Sequence, residues 1–145
     1  MTENEYWAKI SDCEFSINIC EQEIRDMKRK IGELEDMESR FQTLLRRVEE
    51  AASAGKSKIG NLASMLMTAG KKIRDSFWEI NGQVYTGAEF QKSCNSIEEA
   101  IRCIRAKVNE LENNISDKYR QIGSFNYQIT EYRAVIATLQ IEKEV

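Results

Sequence analysis

The chain has 145 residues, enough for one domain, and 31% of them are charged, 41% are apolar and none is proline or histidine. The absence of proline and the many Glu, Lys, Arg and Gln residues predict an all-α fold. The net charge of −3 argues against a nucleic-acid partner, because neutralising phosphates requires a concentrated basic face.

The first predicted element is a long helix over about residues 4–53. Its apolar residues are spaced alternately three and four apart, as in a heptad repeat, and form a row that we call the seam. Glu38 interrupts this seam, and Met37 beside it is expected to cover part of the gap. The seam residues are Ile10, Cys13, Ile17, Cys20, Ile24, Met27, Ile31, Leu34, Phe41, Leu45 and Val48.

Small residues and two glycines make up the next segment, residues 54–60, and they predict a kink or a short break. The pattern leaves open whether the helix bends or the chain reverses there. A second helical arm follows over about residues 61–81. Residues 82–87 form a predicted turn, because a helix commonly ends beside a glycine that can adopt positive φ. The residues that define this turn are Gly82, Tyr85, Gly87 and Phe90.

The last predicted element is a helix over about residues 88–142, which keeps the same three-and-four spacing. Its apolar residues are Phe90, Cys94, Ile97, Ile101, Ile104, Val108, Leu111, Ile115, Tyr119, Ile122, Phe125, Ile129, Tyr132, Ile136 and Leu139. Together, the elements predict one all-α domain over residues 1–145. Its expected form is an elongated antiparallel helical hairpin with coiled-coil-like packing and a kinked N-terminal arm.

The side chains that most enzymes use for catalysis are scarce. Histidine, the most common general base, is absent, and no serine or cysteine lies in a nucleophile turn. The four cysteines lack the spacing of a zinc site, so we expect buried, reduced thiols at Cys13, Cys20, Cys94 and Cys103. The sequence therefore predicts a protein that is not an enzyme, with no catalytic residues, cofactor or metal.

Localisation follows from the N-terminal residues and the overall hydropathy. No apolar run approaches the roughly 20 residues of a membrane span. Residues 1–20 contain acidic residues where a signal peptide has basic and then apolar residues. We expect a cytoplasmic chain without a membrane span, whose export would require a route that does not read an N-terminal signal peptide.

A turn centred near residue 84 or 85 would place the C-terminus opposite about residue 24, so residues 1–24 would overhang. This segment is apolar on two faces, because Phe15 and Ile19 lie nearly opposite the seam. Such a helix needs a cover. The candidate partner-binding residues are Tyr6, Trp7, Phe15 and Ile19. In the alternative, the first helix folds back at 55–60 and buries them within a three-helix bundle.

The aromatic-x-Gly turn, formed here by Tyr85 and Gly87 between two long helices, resembles the Trp-x-Gly hairpin of small helical proteins secreted by type VII (Esx) systems. Over most of its length, the chain is similar to the YwqH-like helical proteins, which occur with LXG-domain toxins of Gram-positive bacteria. The resemblance implies an adaptor that binds the helical N-terminal LXG domain of a toxin, or another small helical protein. It also implies export with that toxin through a type VII system.

Substrates of these systems often carry a Tyr-x-x-x-Asp/Glu export signal on a C-terminal helix. Tyr127 and Glu131 fit this pattern, and so do Tyr85 and Glu89. Alternatively, Tyr127 only flanks the seam. The second functional hypothesis is a cytoplasmic coiled-coil scaffold that self-associates, with a second copy of the chain as its partner.

Overall fold

A computed structural model of the protein describes residues 1–65, 75 and 88–144. Two α-helices are described in these ranges. Helix α1 spans Glu3–Met65 and helix α2 spans Ala88–Glu144. The two helices pack against each other, so the prediction of an all-α fold is confirmed. The predicted helix over residues 88–142 corresponds closely to α2.

Helix α1 begins with a capping box that includes Thr2. The Glu5 backbone N–H donates to Thr2 Oγ1 at 3.3 Å, and the Thr2 backbone N–H donates to Glu5 Oε2 at 2.7 Å. Each of the two side chains thus accepts a hydrogen bond from the other residue's backbone N–H. Glu3 and Glu5 also complement the positive end of the helix dipole. These contacts explain why the helix begins at Glu3.

Helix α1 continues through residues 54–60, where a kink or short break was expected. Alanine has the highest helix propensity, and each helical glycine costs only about 1 kcal/mol relative to alanine, so the alanines around Gly55 maintain the helix. The chain does not reverse at these residues, which removes the three-helix alternative. The predicted arm over residues 61–81 is helical as far as Met65. Its remainder and the predicted turn at residues 82–87 lie outside the described residues, apart from residue 75.

The chain divides into two compact units. Unit 1 consists of Met1–Glu33 and Lys107–Val145, and unit 2 consists of Leu34–Ala106. Each unit contains a part of α1 and a part of α2.

In unit 1, the seams of the two helices meet and form an apolar core. Seven described residues of unit 1 are buried: Ile10, Cys13, Cys20, Ile24, Leu111, Ile129 and Ile136. Four of them, Ile10, Cys13, Ile129 and Ile136, form one cluster. Tyr6, Ile17, Phe125 and Tyr132 pack around them. The three-and-four spacing predicted this face of each helix, because it places successive apolar residues along one line.

The two helices of unit 1 run antiparallel and are paired up to their ends. Glu3 accepts hydrogen bonds from Lys143 Nζ and Gln140 Nε2, both at 3.0 Å, and Glu14 lies 3.7 Å from Arg133. The prediction that residues 1–24 overhang is therefore wrong. Pairing of the two chain ends buries Ile10 against Ile136, whereas the predicted register would leave Ile10 exposed to water.

One position of the predicted α2 seam is also corrected. Tyr119 is exposed, and the half-buried Lys118 occupies the heptad position instead. Its ammonium reaches Glu23 across the helix pair at 2.5 Å, and this hydrogen bond raises the pKa of Lys118. A lysine is tolerated there because its apolar stem lies along the core while its charged end reaches a partner at the surface.

In unit 2, the two helix segments also run antiparallel, with Glu38 ion-paired to Arg105. Its buried residues are Ala52, Cys94, Ile101 and Ile104. Glu38 occupies a seam position, as predicted, and only 19% of its side chain is exposed. Met37 does not cover it, since Met37 is itself exposed; the Arg105 guanidinium compensates the carboxylate instead.

The prediction that all four thiols are buried is only partly confirmed. Cys13, Cys20 and Cys94 are buried, and Cys103 is exposed. The expectation of a buried thiol is therefore wrong for Cys103. Its position directly precedes the buried Ile104 of the seam, so its side chain points away from the core.

Candidate partner-binding site

Helix α1 carries a second apolar surface within unit 1, on the side that faces away from the core. Phe15 and Ile19, one helical turn apart, are 66% and 44% exposed. They are exposed because Ile10, Cys13 and Ile17 occupy the face that packs on α2. We call this surface the α1 outer face; its other exposed, uncharged residues are Ala8, Ser11, Asn18 and Gln22.

Trp7 lies near the N-terminal end of this surface and is 46% exposed. Its indole hydrogen-bonds the Glu3 carboxylate, which Lys143 and Gln140 also contact. These hydrogen bonds, above all the one from Lys143, lower the pKa of Glu3. Nearly half of the Trp7 side chain therefore remains accessible to a partner.

Tyr6 differs from the other three candidate partner-binding residues. It is half-buried, and its ring centroid lies 5.9 Å from that of Tyr132 in a tilted arrangement. The Lys9 ammonium lies 5.6 Å from the Tyr132 centroid. The structure therefore places Tyr6 in the packing between the two helices, which leaves Trp7, Phe15 and Ile19 on the surface.

The two residues of the candidate export signal lie together on α2. Tyr127 is 65% exposed, and its hydroxyl donates a hydrogen bond to the Glu131 carboxylate, which is one helical turn away. This hydrogen bond and the negative charge of Glu131 raise the pKa of Tyr127. The pair is accessible on the surface of unit 1 and does not belong to the seam.

The predicted turn motif is described at only one of its residues. Phe90 is half-buried at the start of the α2 seam. Gly82, Tyr85 and Gly87 lie outside the described residues.

A surface of α2 with little charge was not predicted from the sequence. It includes Tyr127 and Ile141, which is 63% exposed. A signal for it was present, since only Glu131 and Arg133 are charged among the 21 residues from 121 to 141. A solvated helix face normally carries more charge, and 31% of the whole chain is charged.

Within residues 1–65, 75 and 88–144, no group of three or more His, Cys, Asp or Glu side chains is arranged to hold a metal ion. No helix in this part of the chain has an apolar stretch long enough to cross a membrane. Its described surfaces include exposed apolar and aromatic side chains, which can be buried against another surface.

Comparisons of this chain with protein-family models, with curated proteins and with solved structures find no match.

Proposed function

We propose that the protein is a non-enzymatic helical adaptor that binds the helical N-terminal LXG domain of a type VII-secreted toxin and assists its export. The observation that carries this proposal is the exposure of Phe15 and Ile19 on a helix whose seam is already filled. The resemblance of the Tyr85–Gly87 segment to the turn of small type VII proteins supports the identity of the partner.

The α1 outer face has the chemistry of a helix-binding surface. Phe15 and Ile19 form an apolar ridge one turn long, and a second helix can bury that ridge in a groove of its own surface. Ala8, Ser11 and Asn18 lie along the same face and carry no charge. A partner therefore has few charged groups to desolvate when it docks there.

Tyr127 and Glu131 supply a second part of the proposal. In the adaptor role, these exposed residues are the candidates for recognition by the export machinery. They lie on α2, whereas the toxin-binding face lies on α1. The proposed toxin-binding residues and the candidate export signal are therefore on different helices.

The adaptor proposal is tested by introducing charge into the α1 outer face. In the variant Phe15→Glu with Ile19→Glu, both new carboxylates are in water, so we expect unchanged helicity and melting temperature. Copurification with a coexpressed LXG domain is expected to be lost, because binding would bury the two charges. A variant that unfolds, or one that still copurifies with the LXG domain, contradicts the proposal.

The matched control is Met37→Glu with Leu44→Glu. These residues are also exposed apolar side chains of α1, but they lie in unit 2. The control variant adds the same charge and is expected to bind the LXG domain as the wild type does. The alternative, a scaffold that only self-associates, predicts that the wild type does not bind an LXG domain at all.

A further inference from the structure

Each unit has a charged residue within its seam, where an apolar residue would normally lie. In unit 1 it is Lys118 of α2, whose ammonium lies 2.5 Å from the Glu23 carboxylate of α1. In unit 2 it is Glu38 of α1, which is ion-paired to Arg105 of α2. Only 27% of the Lys118 side chain and 19% of the Glu38 side chain are exposed. Each seam charge therefore depends on its partner across the helix pair.

The partner of Lys118 is specific to the observed register. The residues one heptad before and after Glu23 are Ser16 and Lys30. If α1 slipped along α2 by one heptad, about 10.5 Å, Lys118 would meet a hydroxyl or a second cation instead of a carboxylate. Either slip would leave a largely buried ammonium without a counter-ion, which is costly.

The partner of Glu38 is specific in the same way, with the charges reversed. The residues one heptad before and after Arg105 are Glu98 and Glu112. A slip of one heptad in either direction would therefore place Glu38 opposite a second carboxylate. The two units thus supply two independent charge patterns, and both match only the observed register among these three.

The uncharged contacts between the helices of unit 1 do not discriminate in this way. Cys13 Sγ lies 3.6 Å from Gln128 Oε1, and Cys20 Sγ lies 3.7 Å from Gln121 Oε1. The two pairs are one heptad apart on each helix, so a slip that brings Cys20 opposite Gln128 would form the same contact again. The apolar seam residues also recur in every heptad. These contacts therefore permit a slip that the charged pairs oppose.

We propose that the Glu23–Lys118 and Glu38–Arg105 pairs select the register of α1 on α2 against registers displaced by one heptad. A single polar residue in the seam of a coiled coil can specify register at a cost in stability. The two pairs have that role here, and their presence explains why charged residues occupy seam positions that apolar residues would fill more stably. The role does not depend on the adaptor function.

The selected register determines how the N-terminal segment of α1 is held. It places Glu3 at Lys143, and Glu3 in turn accepts the hydrogen bond of the Trp7 indole. In the slip that brings Cys20 opposite Gln128, Lys143 would lie opposite Ile10 and not at Glu3. The contact that holds Trp7 at the helix end would then be lost. The charged pairs therefore also fix the arrangement of the candidate partner-binding segment.

The test uses Arg133→Lys as a reporter of the register. Arg133 lies 3.7 Å from Glu14, and Glu21 is one heptad further along α1. A zero-length reagent that joins carboxylates to amines should therefore link position 133 to Glu14 in the observed register and to Glu21 in the slipped one. With Lys118→Leu and Glu38→Leu added, we expect the share of Glu21 links in the monomer band to rise at least about tenfold. An unchanged share overturns the proposal.

The same leucine variant must remain folded, because apolar residues replace the seam charges. We expect its helicity to be unchanged and its melting temperature to be at least that of the reporter, as measured by circular dichroism. A slip in this variant is then not a consequence of unfolding. A leucine variant that fails to fold also overturns the proposal, since the pairs would then be needed for stability and not for register.

Reversal of one charge tests the direction of the slip. Lys118→Glu, introduced into the reporter, places a carboxylate opposite Glu23 in the observed register and opposite Lys30 in the slipped one, so the share of Glu21 links should rise. Addition of Glu23→Lys restores an opposite charge in the observed register and should lower that share again. If the second substitution has no effect, the Glu23–Lys118 pair does not select the register.

The matched control removes one acidic and one basic residue outside the seams. Glu35 of α1 and Arg102 of α2 are exposed, so Glu35→Leu with Arg102→Leu makes the same two kinds of substitution as the seam variant. In the reporter, this control is expected to keep the links between position 133 and Glu14. A rise in Glu21 links equal to that of the seam variant would show that the seam positions are not special, and it would overturn the proposal.

Discussion

Glu3 and Lys143, separated by 140 positions in the chain, form an ion pair in which Glu3 Oε2 lies 3.0 Å from Lys143 Nζ. The pair joins the first turn of α1 to the last turn of α2, and Gln140 adds a second hydrogen bond to the same carboxylate. This register has a functional consequence. The N-terminal segment is covered on its seam face, so only its outer face is free to bind a partner.

The contribution of Glu3 should depend on pH. Its pKa lies below the ordinary value of 4.5, chiefly because Lys143 stabilises the charged carboxylate. A lowered pKa in the folded state contributes stability above pH 4.5, and that contribution is lost as the pH falls through the folded-state pKa. We expect Glu3→Gln to lower the melting temperature at neutral pH and to have almost no effect near about pH 2. An equal effect at both values would show that the ion pair is not the cause, and Glu21→Gln is the control at an exposed carboxylate.

Two isoleucines of unit 1, one in the core and one on the surface, are expected to contribute differently to the free energy of unfolding. Ile136 is buried among Ile10 and Ile129, so Ile136→Ala should lower the free energy of unfolding by about 2–4 kcal/mol. Ile19→Ala removes the same atoms from an exposed position and should have a much smaller effect. Urea unfolding followed by circular dichroism compares the two variants. Similar losses in both would contradict the assignment of the α1 faces.

Replacement of the acidic seam residue in unit 2 is expected to raise the free energy of unfolding. Glu38 is mostly buried, and Arg105 can return to water if its partner is removed, because much of its side chain is already exposed. We expect Glu38→Leu to raise the free energy of unfolding by about 1 kcal/mol, since an apolar residue fits the seam better than a charged one. Glu35→Leu, at an exposed position of the same helix, is the control and should change stability little. A marked destabilisation by Glu38→Leu would mean that the ion pair is a net stabilising contact.

The thiols should react in two classes. Cys103 is exposed, whereas Cys13, Cys20 and Cys94 are buried, and burial raises the pKa of the Cys94 thiol. Because the thiolate is the reactive form, we expect one rapid and three slow thiols with a coloured disulfide reagent in the native protein. Cys103→Ser should remove the rapid phase alone. Rapid reaction of all four thiols would show that the seams are open.

The repeat identified the face of each helix but could not identify the register between them. A heptad pattern matches itself after every shift of seven residues, so apolar spacing alone allows several pairings of α1 with α2. The predicted register rested on a turn near residues 84–85, and it placed the C-terminus opposite about residue 24. The observed register depends on particular contacts, such as Glu3 with Lys143, that the spacing does not contain.

Apolar spacing alone also does not decide which residue occupies each position of the seam. Tyr119 is the more apolar of two neighbouring residues, although a strict repeat points to Lys118. A long lysine stem can occupy such a position when Glu23 lies across from its charged end. The exposure of Phe15 and Ile19 was predictable, since a residue opposite the seam is exposed in any register of the pair.

The register of unit 1 can be tested on the unmodified chain with a zero-length reagent that joins carboxylates to amines. The chain is treated while dilute, and the monomer band is digested and analysed by mass spectrometry. We expect peptides that join Glu3 to Lys143 and Glu23 to Lys118, because both pairs are within 3.0 Å. Peptides that join Lys143 to Glu21 or Glu23, with none that joins it to Glu3, would contradict the observed register and restore the overhanging N-terminal segment.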